Sequence, residues 1–489
     1  MKETPTSRIS THTFEQSHWL AIQRMPANFR FSDLLNAAHK AWGQGCSDDS
    51  LLSLAMPLDG VDPLQALPKL GADGLFKFLW DNTPGLCLAA SGRCQQLELT
   101  GARRFELAQR FCDLTLARLH DGAPQAPAQA RPRVLLAFSF FEESTERKID
   151  SGTAPSVQAV LPRWQLSRHG QHGWLRVNAT VSSFSEAREL AEQCWLMAEA
   201  VQEVTPNPLQ SNTIQFHPAV DDWQDRYRAP LHQAINLVET GQLHKLVLAV
   251  RNSVKLTAPL NPLPLLRQLR HQQTNSCRFL WQRNPNDSFF GASPERLLSL
   301  RGGYLRSDAL AGTACENDDG ERLLRSEKDR LEHELVVKTI TKELQHCGLT
   351  PWRRRDPRLS RHGSLTHLHT PITAHACNQA PLKLAKKLHP TPAVAGLPGR
   401  EAMAWLRVLE PFERGNYAAP IGWIDSQGDA ELRVAIRCGH AIGHQMDLTA
   451  GAGLVRGSCP EREMQEINLK LHVLVKQLDA ATNLNARDA

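Results

Sequence analysis

The sequence holds no Cys-x-x-Cys pair, and its 11 cysteines stand at scattered spacings. That argues against a disulfide framework and against a thiolate zinc site, and leaves the cysteines as small buried or free thiols. No apolar run approaches the roughly 18 to 20 residues needed to cross a bilayer, and the opening residues contain no apolar stretch of signal-peptide length. The expectation is a cytoplasmic protein with no membrane partner. Neither sign of charge dominates: 56 lysines and arginines against 51 aspartates and glutamates leave +5 over 489 residues. So dilute a charge does not make the phosphate-tracking surface of a nucleic-acid binder; a small anionic substrate suits it better. No internal repeat is present. What the chain does have is length, with 41% hydrophobic residues, enough for two or three domains or one unusually large one.

Residues 122–133, rich in proline and small residues, read as an exposed linker. Strand patterns follow at 134–141 and 174–181, the second alternating apolar and polar as a half-buried strand does, and a helix is expected over 186–204. Tyr227, Leu231, Ile235 and Val238 recur at helical spacing, with Gly241 as the stop. Lys245 then opens an apolar, β-branched strand reaching Val250, so its charge must face either solvent or a site. Further strands are expected at 289–291, 430–437 and 446–449, and helices at 326–345, 399–409 and 461–478. These elements do not alternate as a βαβ series does, which predicts an α+β fold with large antiparallel sheets.

Two helical pairs of carboxylates stand out, Asp329 with Glu332 and Glu463 with Glu466. A spacing of three residues puts both members on one helix face. Two such faces brought together would make an oxygen-rich cage for a hard cation, although such pairs on surface helices are usually just solvated. The basic stretch 353–361 lacks interleaved aromatics and reads as a solvated loop rather than a nucleic-acid patch. His362, His367, His369 and His375 cluster beside it at spacings that match no common zinc pattern, which leaves at most one functional histidine among them.

A series of ordered motifs runs through residues 213–478. They are Lys-Leu-Val-Leu-Ala at 245–249, Gly-Ala-Ser-Pro-Glu-Arg-Leu at 291–297, Ala-Leu-Ala-Gly-Thr at 309–313 and Lys-Asp-Arg-Leu-Glu-His at 328–333. Thr-His-Leu follows at 366–368, Leu-His-Pro-Thr-Pro-Ala-Val at 388–394, Ala-Ile-Arg-Cys at 435–438 and Ala-Gly-Ala-Gly-Leu-Val at 450–455. Together they resemble the chorismate-utilising enzymes, the family of isochorismate, salicylate, anthranilate and aminodeoxychorismate synthases. The resemblance implies one large α+β unit with two big, mainly antiparallel β-sheets and peripheral helices around a central site. Residues 1–212 would then be the N-terminal part of that unit and 213–480 its chorismate-binding catalytic region.

Carried over position by position, the resemblance implies that Lys245 is the base and Glu295 the general acid. It gives Glu332 and Glu466 as direct Mg²⁺ ligands, with Asp329 and Glu463 reaching the ion through water. Arg437, Lys470 and the backbone at Gly451 would hold the substrate's carboxylates near Tyr417, while His367 and Thr313 would line the ring. The residue types suit the chemistry: water attacks C2 as the C4 hydroxyl leaves, so one group accepts a proton and another donates one. A lysine serves as base only where its neutral form is populated and a carboxyl serves as acid only where it stays protonated; burial favours both. Simpler roles compete, namely an edge-strand lysine reaching to solvent, a structural His367, and an Arg437 that merely pairs with Glu431.

Within the family, aminodeoxychorismate synthases carry a nucleophilic lysine where this chain has Ala311, and the ammonia-using branches lack the base lysine. The pattern therefore implies hydroxyl transfer on chorismate to give isochorismate, by a monomer needing no amidotransferase partner. Ala393-Val394 resembles the small-plus-aliphatic pair of that branch. The rival is a salicylate synthase, which goes on to eliminate pyruvate and tends to carry threonine at the first of these positions. A catalytically dead binding module would have lost a base, acid or metal ligand, and none is lost. Residues 420–425 and 448–455 look more like the menaquinone or phylloquinone branch. Val250 stands where an arginine usually follows the strand, with Arg251 one place later.

Overall fold

The computed structural model describes residues 29–43, 45–71, 76–82, 84–143, 155–203, 216–217, 223–315 and 320–483. One long strand, Val157–His169, organises the sheets. One of its edges pairs antiparallel with Leu86–Leu99 over its full length. The other edge is shared: 164–169 pair with His172–Val181, and 157–160 pair with Arg133–Phe138. Two arms of sheet grow from this strand. The first runs from Leu86–Leu99 through Lys77–Asp81, Cys277–Asn284, Asp287–Ser293, Cys438–Ile442 and Gln445–Leu454 to Lys245–Leu256. The second runs from Arg133–Phe138 through Pro420–Asp425, Ala430–Val434, Arg296–Arg301 and Tyr304–Cys315 to Leu365–His375. The two big sheets expected from the sequence are thus joined into one hydrogen-bonded network. All these pairings are antiparallel, and each arm begins with strands from before residue 212 and continues with strands from after it. The 212/213 boundary itself lies outside the described residues.

The chain crosses from the first arm to the second between Ser293 and Arg296, and returns between Val434 and Cys438. The crossings bind each other: Val434 N donates to Glu295 O at 3.1 Å, and Ala292 N donates to Arg437 O at 3.0 Å. Gly291 permits the approach, since a Cβ there would lie 2.5 Å from Arg437 O.

Helices cover the outside of the arms. Trp223–Glu239 buries Tyr227, Leu231, Ala234 and Val238 and stops before Gly241, whose φ of +75° suits a helix end. Glu327–His346 starts at Ser326, whose hydroxyl accepts from Asp329 N at 3.2 Å. Pro460–Asn483 packs against the Gln445–Leu454 strand. No helix among the described residues is long and apolar enough to cross a membrane.

Four local expectations are corrected. Residues 122–133 are a packed strap rather than an exposed linker, with only Pro124 and Gln125 exposed. Ala130 is buried beside Ala55 and Trp174, and Arg133 donates to the carbonyls of Ala128, Gln129 and Arg131 while stacking on Trp423 at 4.6 Å. One arginine thereby satisfies carbonyls that would otherwise need water. The strand His172–Val181 is not half-exposed either, because the strap and the neighbouring Ser50–Pro57 strand receive its polar members. Arg176 reaches Ser53, Asp121 and Ala130 O, and Asn178 donates to Pro162 O. The strand expected over 430–437 ends at Val434, since the chain must leave the sheet there and Arg437 adopts φ +53°. Finally, 353–361 is not all loop: Trp352–Arg353 and Arg358–His362 form short edge strands on Leu365–His375, their arginines deterring further pairing.

Replacing Arg133 by Met should cost about 3 kcal/mol of stability, because three inward-facing carbonyls lose their donor. Urea unfolding checks this; a loss below about 1 kcal/mol would mean that water reaches the strap.

Candidate active site

Of the acid, base, substrate and metal residues that the resemblance implied, all but Lys245, Asp329 and Glu463 line one cleft between the arms and the two helices Glu327–His346 and Pro460–Asn483. The two crossings supply its floor. Glu295, 3% exposed, accepts from Thr391 Oγ1 at 3.3 Å, and its carboxyl is raised to about 7, chiefly by burial. The Thr391 hydroxyl and the Lys245 ammonium pull against that rise.

Arg437 stands on the other crossing. It does not pair with Glu431, which Arg301 and Arg433 hold at 2.9 and 2.7 Å. Its Nη2 donates instead to His367 Nε2 at 2.7 Å, while His367 Nδ1 lies 2.7 Å from Gly312 O. A guanidinium cannot accept and a carbonyl cannot donate, so Nδ1 carries the proton and the imidazole is neutral. Burial, and next the Arg437 charge, hold His367 well below the usual histidine range, in agreement. Arg437 Nη1 is buried without a partner among the described residues. It is a cation available to an anionic ligand.

A β-bulge aims Thr313. Ala311 pairs with Leu368 and Ala314 with Thr366, so Gly312 and Thr313 together face His367 alone, with Gly312 at φ +70°. The Thr313 hydroxyl donates to Glu466 Oε1 at 3.1 Å, and Ala311 presents only a methyl to the cleft. Tyr417, Ala393 and Gly451 complete the wall. The other histidines are taken up elsewhere: His362 contacts Ser276 and Ser360, and His369 sits 3.1 Å from Asp308.

The four carboxylates do converge, but three of them are paired with lysines. Lys245 Nζ lies 2.9 Å from Glu332 Oε1, Lys470 Nζ lies 2.6 Å from Glu466 Oε1 and 2.8 Å from Gly451 O, and Lys328 pairs with Glu463. Asp329 sits beside Gly312. Among the described residues no three donors are close enough to form a ready-made metal cage. The surroundings nonetheless call for positive charge. Burial raises Glu463 to about 7, the Glu466 and Glu332 charges add to that, and its Oε2 is buried with no partner among the described residues. Asp329 is raised by burial and by the same two glutamates. Burial would raise Glu466 as well, but Lys470, Lys328 and Thr313 outweigh it and hold it low. A cluster of carboxylate oxygens under mutual repulsion, with one orphaned oxygen, fits a hard divalent cation.

Lys245 is fully buried and lies behind Glu332 rather than on the cleft wall. Gly453 makes this possible, because a Cβ there would stand 2.2 Å from Glu332 Oε1 and 3.3 Å from Lys245 Cε. Sequence reasoning missed Gly453, although two glycines alternating in one strand signal a close approach on one face. It also missed Thr391 and Lys328, both inside recognised motifs, and the buried Glu410–Arg414 pair, whose spacing of four reads as an ordinary surface pair.

A buried carboxyl, a buried lysine and a guanidinium with one nitrogen unengaged among the described residues surround an acidic cluster, and such a gathering of charge in one cleft has the character of an enzyme site for a small anionic molecule. The chain belongs to the chorismate binding enzymes, whose family pattern matches residues 36–479. It is 31% identical to the isochorismate synthase MenF of Bacillus subtilis, covering 91% of this chain and 97% of that one. It is 30% identical to the salicylate biosynthesis isochorismate synthase of Pseudomonas aeruginosa, covering 91% and 94%. Among solved structures, MenF, the menaquinone-specific isochorismate synthase of Escherichia coli, matches with a TM-score of 0.70 and 26% identity over 91% of this chain and 99% of that one.

Gly453→Ala should lower turnover about 100-fold by displacing Glu332 from Lys245, with the fold retained. Steady-state rates alongside circular dichroism check this; near-normal turnover would mean that the contact tolerates a methyl.

Proposed function

We propose that the protein is an isochorismate synthase in which water adds at C2 of chorismate as the C4 hydroxyl departs, with Lys245 as base and Glu295 as acid. One observation carries this reading: a carboxyl raised to about 7, Glu295, shares with a fully buried lysine, Lys245, a site whose position 311 is a bare methyl. The methyl leaves room for water and offers no nucleophile of its own. Lys245 takes the proton from the attacking water as a neutral amine, which requires that it leave Glu332 and give up its ammonium proton before the water attacks. Glu295, protonated below about pH 7, gives its proton to the departing hydroxyl. Arg437, held in place by neutral His367, binds a substrate carboxylate through its free Nη1, and Lys470 lies beside the same wall.

Glu332 and Glu466 would hold Mg²⁺ directly, with Asp329 and Glu463 behind them; when bound, the ion neutralises and orients a ring carboxylate. The chain acts without an amidotransferase partner, because its own residues supply the proton transfers and water is the nucleophile. The product's favoured use is quinone biosynthesis, which the 420–425 and 448–455 motifs and the likeness to the two MenF enzymes support.

Purified protein given chorismate and Mg²⁺, without ammonia, should form isochorismate up to an equilibrium mixture, and isochorismate alone should return chorismate. Chromatography of a time course decides. Stoichiometric pyruvate with salicylate would make it a salicylate synthase, and ammonia-dependent anthranilate would overturn the base assignment.

The pH profile follows from Glu295. Rising pH removes the proton that must be donated, so kcat/KM should fall above about pH 7 with the slope of one proton. Thr391→Val removes a hydrogen bond that favours the ionised form, so it should move this limb to higher pH. A limb unmoved by Thr391→Val, or moved to lower pH, would assign it to another group.

A further inference from the structure

The Glu410–Arg414 pair lies outside the cleft lining, with both side chains at most 1% exposed. Arg414 spends every donor group on it and on two backbones. Nε and Nη2 go to the Glu410 carboxylate, Nη2 also to Val247 O at 2.7 Å, and Nη1 to Val394 O at 2.7 Å. Its guanidinium lies over the Phe140 ring at 4.3 Å. Glu410 Oε1 accepts in turn from Ala249 N at 2.8 Å.

The acceptors are informative. Gly396–Leu397 covers the outer edge of the Lys245 strand only at Lys245 and Leu246, and Ala395 O then takes Val247 N at 2.7 Å. Among the described residues the edge then has no strand partner until Phe216–His217 pairs with Lys255 and Leu256, and in that gap the Glu410 carboxylate substitutes for one at Ala249. Val247 and Val394 both line the cleft. Val247 is two residues from Lys245, and Val394 belongs to the turn whose Thr391 touches Glu295.

We infer that Glu410 and Arg414 are positioning residues that set the base-bearing strand and the acid-contacting turn as one rigid unit. The inference rests on the assignment of Lys245 and Glu295 as the proton-transfer pair. A pair with no such role would not need a planar fork with five donors reaching three elements; a lysine or an apolar couple would fill the same space. A misplacement of about 1 Å between reacting groups is worth about 100-fold in rate, so a small loosening here should be visible in catalysis.

The test is Arg414→Lys in the full chain, which keeps the charge and loses the fork. With circular dichroism unchanged, kcat for chorismate should fall about 100-fold while KM stays within about threefold. Amide hydrogen exchange should rise together in 245–250 and 391–397. A kcat within about threefold of the parent, or faster exchange confined to 410–416, would overturn the inference. Should Arg414→Lys fail to fold, Glu410→Gln carries the same readouts, because it keeps the acceptor for Ala249 N and removes the charge that orients Arg414. Breaking the exposed pair of the same spacing, Arg188–Glu192, should change neither readout. If the parent protein makes no isochorismate, the functional reading fails on that assay alone, and the exchange result still judges the coupling of the two segments.

Discussion

The site depends on how the chain passes between two arms of sheet. Each crossing carries one chemical group, Glu295 on the outward pass and Arg437 on the return, and each is bound by a backbone hydrogen bond to the other. Gly291 is what lets them touch. A residue at φ +53° with a long charged side chain is an unfavourable choice for a turn. Its cost is offset by what the turn does: it points a guanidinium into the cleft, where a neutral histidine from the second arm steadies it. Glu295 and Arg437 therefore keep a fixed relation without belonging to the same strand or helix.

Charge sets the second constraint. Four carboxylates cannot share a buried pocket unless something compensates them, and in this structure three lysines do so. Glu332 holds Lys245, Glu466 holds Lys470 and Glu463 holds Lys328. Any one of these contacts is costly to break alone, because it would leave a charged group buried without its partner. The charges of the cluster are therefore tied together, and a change at Glu332 is felt directly by Lys245.

Much of this was legible in the residues, for identifiable reasons. The helices at Trp223–Glu239 and Glu327–His346 showed because a 3.6-residue period and a capping serine are local properties. The Lys245 strand showed because one charge at the head of an apolar run demands an explanation. Family motifs then led to residues that the fold brings to one cleft. What stayed hidden was non-local. The strap at 122–133 has a linker's composition, and only Arg133, Arg176 and Trp174 arriving from strands make it a packed element. Glu410 and Arg414 are four apart on paper, and nothing nearby in sequence says that they are buried. Arg437 was expected to sit in a strand because the run before it reads as one, and the left-handed turn comes from the need to change sheets.

The N-terminal residues are part of this machinery in a physical sense. Phe140 N donates to Gly415 O at 2.7 Å, Phe140 O faces His389 Nε2 at 3.3 Å, and the Phe140 ring carries Arg414. Arg104, buried on the helix Arg104–Ala117, binds the carbonyls of Ser139, Phe140 and Phe141 and so fixes that segment from behind. The chain of contacts runs from an N-terminal helix, through one aromatic residue, to the arginine that holds the strand of Lys245. Burial is what gives such a chain its stiffness: every link is a charged or aromatic group that has no water to turn to, so none can swing away without leaving a partner unsatisfied. That explains why a region with no motif of its own is built into the same sheet network as the cleft.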